Sequence, residues 1–241
     1  MDIRTESVTL AVADGMMPCH VARPASGGPY PGVIVVMEAF GLNDHIKAVA
    51  ERIAREGYVT IAPDVYHRFG SPIIPYADIP KAIELLQKLD DAKVMGEMGA
   101  GLAYLKRQSD VRANALGITG FCMGGRFTFL TAAQHAPDIK AAVPFYGGGI
   151  AANAPDAPIN FADRITAPVL AFFGEKDQMI PLDQVKRIEE TMRRLGKTYE
   201  AKVYPGAGHG FFCDERGSYQ AEAAQDAWRR LTEWFSKYLK T

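Results

Sequence analysis

Short runs of β-branched and aliphatic residues alternate along the chain with longer amphipathic stretches. The first two runs are weak. Ser7 to Ala13 alternates apolar and polar positions, Asp14-Gly15 supplies a turn, and Met17 to Ala22 returns, which predicts a hairpin. A loop dense in proline and glycine, residues 23 to 31, leads into GVIVVM at 32 to 37, the continuous apolar run of a strand covered on both faces. From Asp44 to Glu56, Ile46, Val49, Ile53 and Ala54 recur on one helical stripe. Further strands are predicted over Tyr58–Ala62, Ala115–Thr119, Ala141–Tyr146, Pro168–Phe173 and Tyr199–Tyr204. Helices are predicted near 77–90 and 94–108, then over Arg126–Ala136, Leu182–Leu195 and a final stretch near 218–239.

Strands and helices in βα order predict a three-layer α/β fold. A mostly parallel central sheet would carry an antiparallel N-terminal edge and helices on both faces. No repeat, low-complexity tract or linker divides the chain, so one domain over residues 1–241 is expected. No insertion between strands is large enough for a cap domain, and residues 69 to 80, rich in proline and apolar side chains, are the candidate cover. In such sheets, ligands and reactive groups gather past the carboxyl ends of the strands. Any proposed site residue should therefore sit just after a predicted strand.

Composition narrows the function classes. With 241 residues and a formal net charge of -1, nothing in the bulk electrostatics favours nucleic acid or an anionic membrane surface. The apolar runs are strand-sized and too short to span a bilayer. The N-terminal segment has Asp2 and Glu6 and no apolar core, so no secretory leader is expected. The three cysteines, Cys19, Cys122 and Cys213, are too few for a disulfide framework, which makes the reducing cytoplasm the expected location. No CxxC or HExxH spacing occurs, and neither a metal nor a cofactor is expected.

Candidate chemistry centres on Gly120-Phe121-Cys122-Met123-Gly124, a G-x-C-x-G between a predicted strand and a predicted helix. This is the pattern of a nucleophile elbow with sulfur in place of a serine oxygen. So sharp a turn leaves no room for side chains two positions either side. It also aims a helix N-terminus at the nucleophile, which favours a thiolate and offers N–H groups to an oxyanion. No serine in the chain has glycines at both flanking positions. A nucleophile needs a base, and the base needs an orienting acid. Asp177 lies in GEKDQMIP after one predicted strand and His209 in PGAGHGF after the next, giving the order Cys, Asp, His of an α/β hydrolase. His67 is the one rival histidine placed past a strand end, and Glu175 and Asp214 are the rival acids.

These motifs, with Met37-Glu38-Ala39-Phe40-Gly41-Leu42-Asn43 directly after the third strand, resemble the dienelactone hydrolase (carboxymethylenebutenolidase) family of α/β hydrolases. The likeness runs from about residue 6 to the final helix. It implies a Cys122–His209–Asp177 triad, and a Glu38 carboxylate that pairs with the resting thiol and controls its ionisation. It also implies an oxyanion hole built from the backbone N–H groups of Met123 and Ala39. The expected substrate is a small ester or lactone, cleaved through a thioester on Cys122.

Two arginines hold a substrate carboxylate in that family, and this chain matches neither clearly. The position four after His209 is Cys213, with Arg216 three residues on, and the earlier segment offers only Arg68 and Lys81. Arg216 beside Asp214 and Glu215 reads more simply as a surface residue. Tyr66, Arg68, Tyr146 and Arg216 are thus the candidate substrate contacts. The alternatives are a carboxylesterase or thioesterase of the same fold with another substrate, and a hydrolase-fold protein that binds a ligand without turning it over. Nothing in the sequence fixes the oligomeric state.

Overall fold

The computed structural model describes residues 1–241, and its frame is one eight-stranded sheet. In chain order the strands are β1 (Ile3–Val12), β2 (Gly15–Pro24), β3 (Tyr30–Val36), β4 (Val59–Pro63), β5 (Val111–Phe121), β6 (Ile139–Phe145), β7 (Val169–Gly174) and β8 (Tyr199–Tyr204). Their order across the sheet is β1-β2-β4-β3-β5-β6-β7-β8. The reversed strand is β2, antiparallel to both β1 and β4, while every pair from β4 to β8 is parallel. The expected hairpin is present, extended to ten residues a strand.

Six α-helices flank the sheet: α1 (Asp44–Arg55), α2 (Ile79–Leu86), α3 (Asp91–Lys106), α4 (Met123–Gln134), α5 (Leu182–Arg194) and α6 (Ala221–Leu239). Asn43 caps α1 by accepting from the Ile46 N–H at 3.1 Å, and the stripe Ile46, Val49, Ile53 is buried as its spacing predicts. Each such side chain removed from water contributes roughly 1.5–3 kcal/mol. Arg52 of α1 stacks 4.0 Å over the Trp228 ring of α6, and these two helices cover β2–β4 and β5–β7 respectively. Helices α3 and α4 pack against each other and against β3 and β5.

Several boundaries differ from those the periodicity predicts, each for a local reason. Helix α2 starts at Ile79, where the Asp78 carboxylate accepts from Lys81 N at 3.2 Å, and α3 starts at Asp91 under the corresponding cap from Asp90. Strand β5 begins at Val111, because Val111 and Arg112 pair with Tyr30 and Pro31 before a register shift leads to Leu116 opposite Gly32. Its polar first half carries no apolar pattern to announce it. Two 3-10 turns, His67–Phe69 and Pro158–Arg164, are too short for a helical period to show. No helix is long and apolar enough to cross a membrane.

Candidate active site

Strand β5 ends at Phe121 and α4 begins at Met123, so Cys122 alone makes the turn. Its φ of 57° and ψ of -118° are outside the regions an L-residue ordinarily occupies. The strain is held in place from both sides. The Cys122 N–H donates to the Phe145 carbonyl at the end of β6, and the Cys122 carbonyl accepts from Gly125 at 3.0 Å. The glycines are required by contact: a Cβ on Gly120 would lie 2.3 Å from the Gly124 carbonyl oxygen, and one on Gly124 would lie 2.4 Å from that of Val36. That crowding is why α4 starts three residues before the sequence expectation. Gly124 and Gly125 weaken a helix by propensity, yet nothing larger lets α4 approach β3 and β6.

The loops after β7 and β8 interlock beside this turn. Lys176 N donates to the Ala207 carbonyl at 2.8 Å, and a Cβ on Gly174 would stand 2.4 Å from the same oxygen. Asp177 is buried, accepts from Met179 N at 2.9 Å through Oδ1, and receives His209 Nδ1 at 2.8 Å on Oδ2. The Asp177 bond fixes Nδ1 as the protonated nitrogen, leaving Nε2, which is buried and has no protein partner other than the nearby Cys122 sulfur. Burial works against a charged ring, but the nearby Cys122 sulfur and the Asp177 carboxylate outweigh it and raise the His209 pKa from 6.5 to about 10.

The rival groups are engaged elsewhere. His67 Nε2 sits 2.9 Å from Glu97, Glu175 accepts from Gly206 N at 2.9 Å, and Asp214 faces His45 at 3.5 Å. His45 and Asp214 line a separate cavity of about 240 Å³ between α1 and α6, which contains none of the groups around Cys122.

The loop after β3 approaches from the other side. The Ala39 N–H has no backbone acceptor, and Met123 is the first residue of α4, whose first-turn N–H groups lack intrahelical partners. Both amides are therefore unspent donors at the turn. Tyr66, expected as a pocket-lining residue, is fully buried and directs its hydroxyl to the Ala39 carbonyl at 3.2 Å and the Met123 sulfur at 3.6 Å. It braces the two segments that carry those amides.

Three expectations are corrected. Arg216 is not a surface arginine: its side chain is 14% exposed and donates from Nη1 to Glu38 Oε1 at 3.1 Å. The guanidinium lies over the rings of Phe40 and Tyr76, in the space left by Gly210. Glu38, fully buried, accordingly spends one oxygen on Arg216 and not on the thiol, while Oε2 has no partner in the protein. Arg68 is removed from the site altogether. It binds Asp14 at 2.9 Å and the buried Glu97, tying the β1–β2 turn to α3 and filling the space between those carboxylates with its own donors.

Tyr76 is a residue the sequence reading missed. Its hydroxyl accepts from Asn43 Nδ2 at 2.9 Å and lies 3.3 Å from the buried Cys213 sulfur, and its ring centroid is 4.7 Å from that of Phe40. With Ile74 N donating to the Phe40 carbonyl, it fastens residues 72 to 76 over the loop that carries Glu38. Only its membership of the proline-rich cover segment hinted at this.

The single reversed strand near one edge, the cysteine in a forbidden turn after β5, and the acid and histidine after β7 and β8 define an α/β hydrolase. Comparison with known proteins agrees with this fold and class. The chain belongs to the dienelactone hydrolase family, whose model matches residues 17–239. A provisionally named carboxymethylenebutenolidase of Methylorubrum extorquens is 43% identical over 96% of this chain and 80% of its own length. Its provisionally named counterpart in Escherichia coli K12 is 42% identical over 92% of this chain and 83% of its own. The crystal structure of a provisionally named dienelactone hydrolase from Klebsiella pneumoniae superposes with a TM-score of 0.90 at 39% identity, covering 99% of this chain and all of the other. A dienelactone hydrolase-like promiscuous phosphotriesterase from metagenomic libraries follows at a TM-score of 0.86 and 27% identity, covering 99% of each chain.

Proposed function

We propose that this protein hydrolyses small esters or lactones through a thioester on Cys122, with His209 as the proton carrier and Asp177 as its orienting acid. The observation that carries the reading is the pairing of a strained, backbone-tethered cysteine with a buried histidine whose other nitrogen is fixed by a buried carboxylate. Family membership makes the chain a hydrolase of this bond class. The assignment of residues to steps rests on the geometry.

The Cys122 thiolate attacks the carbonyl carbon, and the resulting oxyanion is received by the Met123 and Ala39 N–H groups. As the C–O bond breaks, the His209 imidazolium passes its Nε2 proton to the departing alkoxide, leaving a thioester and a neutral ring. That ring takes a proton from water, the hydroxide adds to the thioester, and collapse expels the thiolate and frees the acid. One water is consumed, and thiolate and imidazolium are restored.

Cys122→Ala is expected to abolish turnover of p-nitrophenyl butyrate, and mass spectrometry of quenched wild type should find one acyl group on Cys122. Retained turnover in the alanine variant refutes the assignment. A second reading, an esterase with no preference for carboxylate-bearing lactones, draws support from the arginines. Arg68 is committed to Asp14 and Glu97, and Arg216 already faces Glu38, so neither candidate arginine is without a carboxylate. Comparing a carboxylate-bearing lactone with its methyl ester separates the two readings.

A further inference from the structure

Only three non-glycine residues in the chain have φ in the left-handed region, and two of them, Cys122 and Tyr146, stand past the carboxyl ends of neighbouring strands β5 and β6. Tyr146 has φ of 35° and is fully buried. Such strain in a bulky residue persists only where surrounding contacts over-determine it. Here they do. The Tyr146 N–H donates to Phe172 O at 2.7 Å, and the next residue, Gly147, is pressed against α4 so closely that a Cβ would lie 2.7 Å from the Gly125 carbonyl carbon. The same packing that shapes the cysteine turn therefore forces the tyrosine into its position.

The tyrosine's hydroxyl goes unused by the protein. The ring stands edge-on to His209 with centroids 5.2 Å apart, and also meets Phe211 and Phe121. The hydroxyl oxygen is buried without a partner, and the ionisable groups acting on it are Glu38, Arg216, Cys213 and Cys122. It lies close to two other buried groups of the site, Glu38, whose Oε2 also has no partner in the protein, and His209, whose ring it packs against. Leaving a buried hydroxyl unsatisfied costs stability, because its hydration is lost and nothing replaces it. That cost, added to the backbone strain, marks a group whose partner arrives with substrate.

We propose that Tyr146 is a further catalytic residue of the Cys122 reaction, its O–H donating a hydrogen bond to the leaving-group oxygen beside His209 Nε2. The inference rests on the hydrolase reading above. Tyr146 transfers no proton in this step. Burial, then the Glu38 carboxylate, hold its hydroxyl protonated far above neutral pH, so it stays a donor. As the C–O bond breaks, His209 supplies the proton and the tyrosine O–H stabilises the negative charge that develops before the proton arrives. An alkoxide needs that help and a nitrophenolate, which departs readily as the anion, needs little.

The test compares ethyl butyrate with p-nitrophenyl butyrate, which share an acyl group, on wild type, Tyr146→Phe and Cys122→Ala. The ratio kcat/KM reports steps up to acylation only. Tyr146→Phe keeps the ring packed on His209, and its thermal unfolding is recorded beside the kinetics to confirm an intact fold. The expected result is a fall on the order of 100-fold for the ethyl ester, the size of one lost oxyanion-type donor, and only a few-fold for the nitrophenyl ester. An equal fall for both esters, or no fall, overturns the tyrosine assignment while leaving the thiol mechanism standing. Activity that survives Cys122→Ala overturns the mechanism itself.

Discussion

Arg216→Ala tests the ion pair that holds a fully buried carboxylate at the site. Glu38 is fully buried, whereas its partner reaches solvent with 14% of its side chain. Removing the arginine strands a carboxylate that no water can reach, and breaking a buried pair this way costs roughly 3–5 kcal/mol. Contact of the guanidinium with the Phe40 and Tyr76 rings, at 5.2 and 5.8 Å, adds about 0.5–1 kcal/mol to the loss. For a domain of this size each kcal/mol lowers Tm by about 2–4 °C, so a drop of roughly 7–24 °C is expected.

Glu38→Gln should be far milder, about 1 kcal/mol, because the arginine left behind can turn to solvent and the amide can still accept its hydrogen bond. The double variant should then recover most of what Arg216→Ala loses, since no charge remains buried. Urea unfolding at pH 7.5, followed by circular dichroism on all four proteins, closes the cycle, and a favourable coupling of at least about 2 kcal/mol is expected. If Arg216→Ala costs less than about 1 kcal/mol, or the double variant is no better than the single, the pair does not stabilise the site as argued.

Two further perturbations probe the turn and the histidine. Gly120→Ala places a methyl 2.3 Å from a backbone oxygen and 2.7 Å from Thr128 Oγ1, and should cost about 3 kcal/mol or more together with activity. Gly148→Ala, with nothing within 4 Å of its Cβ, should stay within about 0.5 kcal/mol of wild type in the same unfolding assay, and similar losses at both sites would contradict the steric argument. Because the folded His209 pKa is raised from 6.5 to about 10, its share of stability is complete below about pH 6.5 and is lost as pH rises through about 10. Cys122→Ala removes the strongest influence that raises it, so the ring's titration, followed by NMR, should move down towards neutrality; an unmoved titration would refute the coupling of sulfur and ring.

The fold was legible because strands covered on both faces write their burial as continuous apolar runs, as Val33 to Met37 do. Cys122, Asp177 and His209 were legible because a parallel sheet delivers the ends of β5, β7 and β8 to one edge, and each residue lies directly after its strand or in the loop that follows it. The failures share a different cause. Arg216 and Glu38 are 178 positions apart and meet only because the loop after β8 folds back over the loop after β3. Local sequence placed Arg216 among Asp214 and Glu215, where it looked solvated. Arg68 looked available because it follows β4, but Asp14 arrives from the first hairpin and Glu97 from α3. Charges are paired by tertiary approach, and no period or spacing along the chain records that.

On the mechanism proposed above, the charges around Cys122 also explain how one ring can serve as acid and then as base. In the proposed thiolate state, before acyl transfer, the sulfur's charge is the strongest influence favouring a protonated His209 against its burial, with Asp177 second. Attack on the carbonyl spends that charge in a covalent bond. The thioester sulfur is neutral, so only Asp177 remains to oppose desolvation, and the proton the ring has just delivered is not readily regained except from the incoming water. The pairing of Glu38 with Arg216 keeps this exchange local. A bare carboxylate beside the sulfur would oppose the thiolate and sustain the imidazolium after the sulfur had been neutralised, whereas a carboxylate already matched by a guanidinium does little of either. On this account Arg216→Ala should slow hydrolysis of the thioester as well as weaken the fold. The acyl-enzyme should then accumulate in a p-nitrophenyl butyrate burst even in the fraction of protein that remains folded, and a variant that turns over without a larger burst would show that Glu38 acts on the site in some other way.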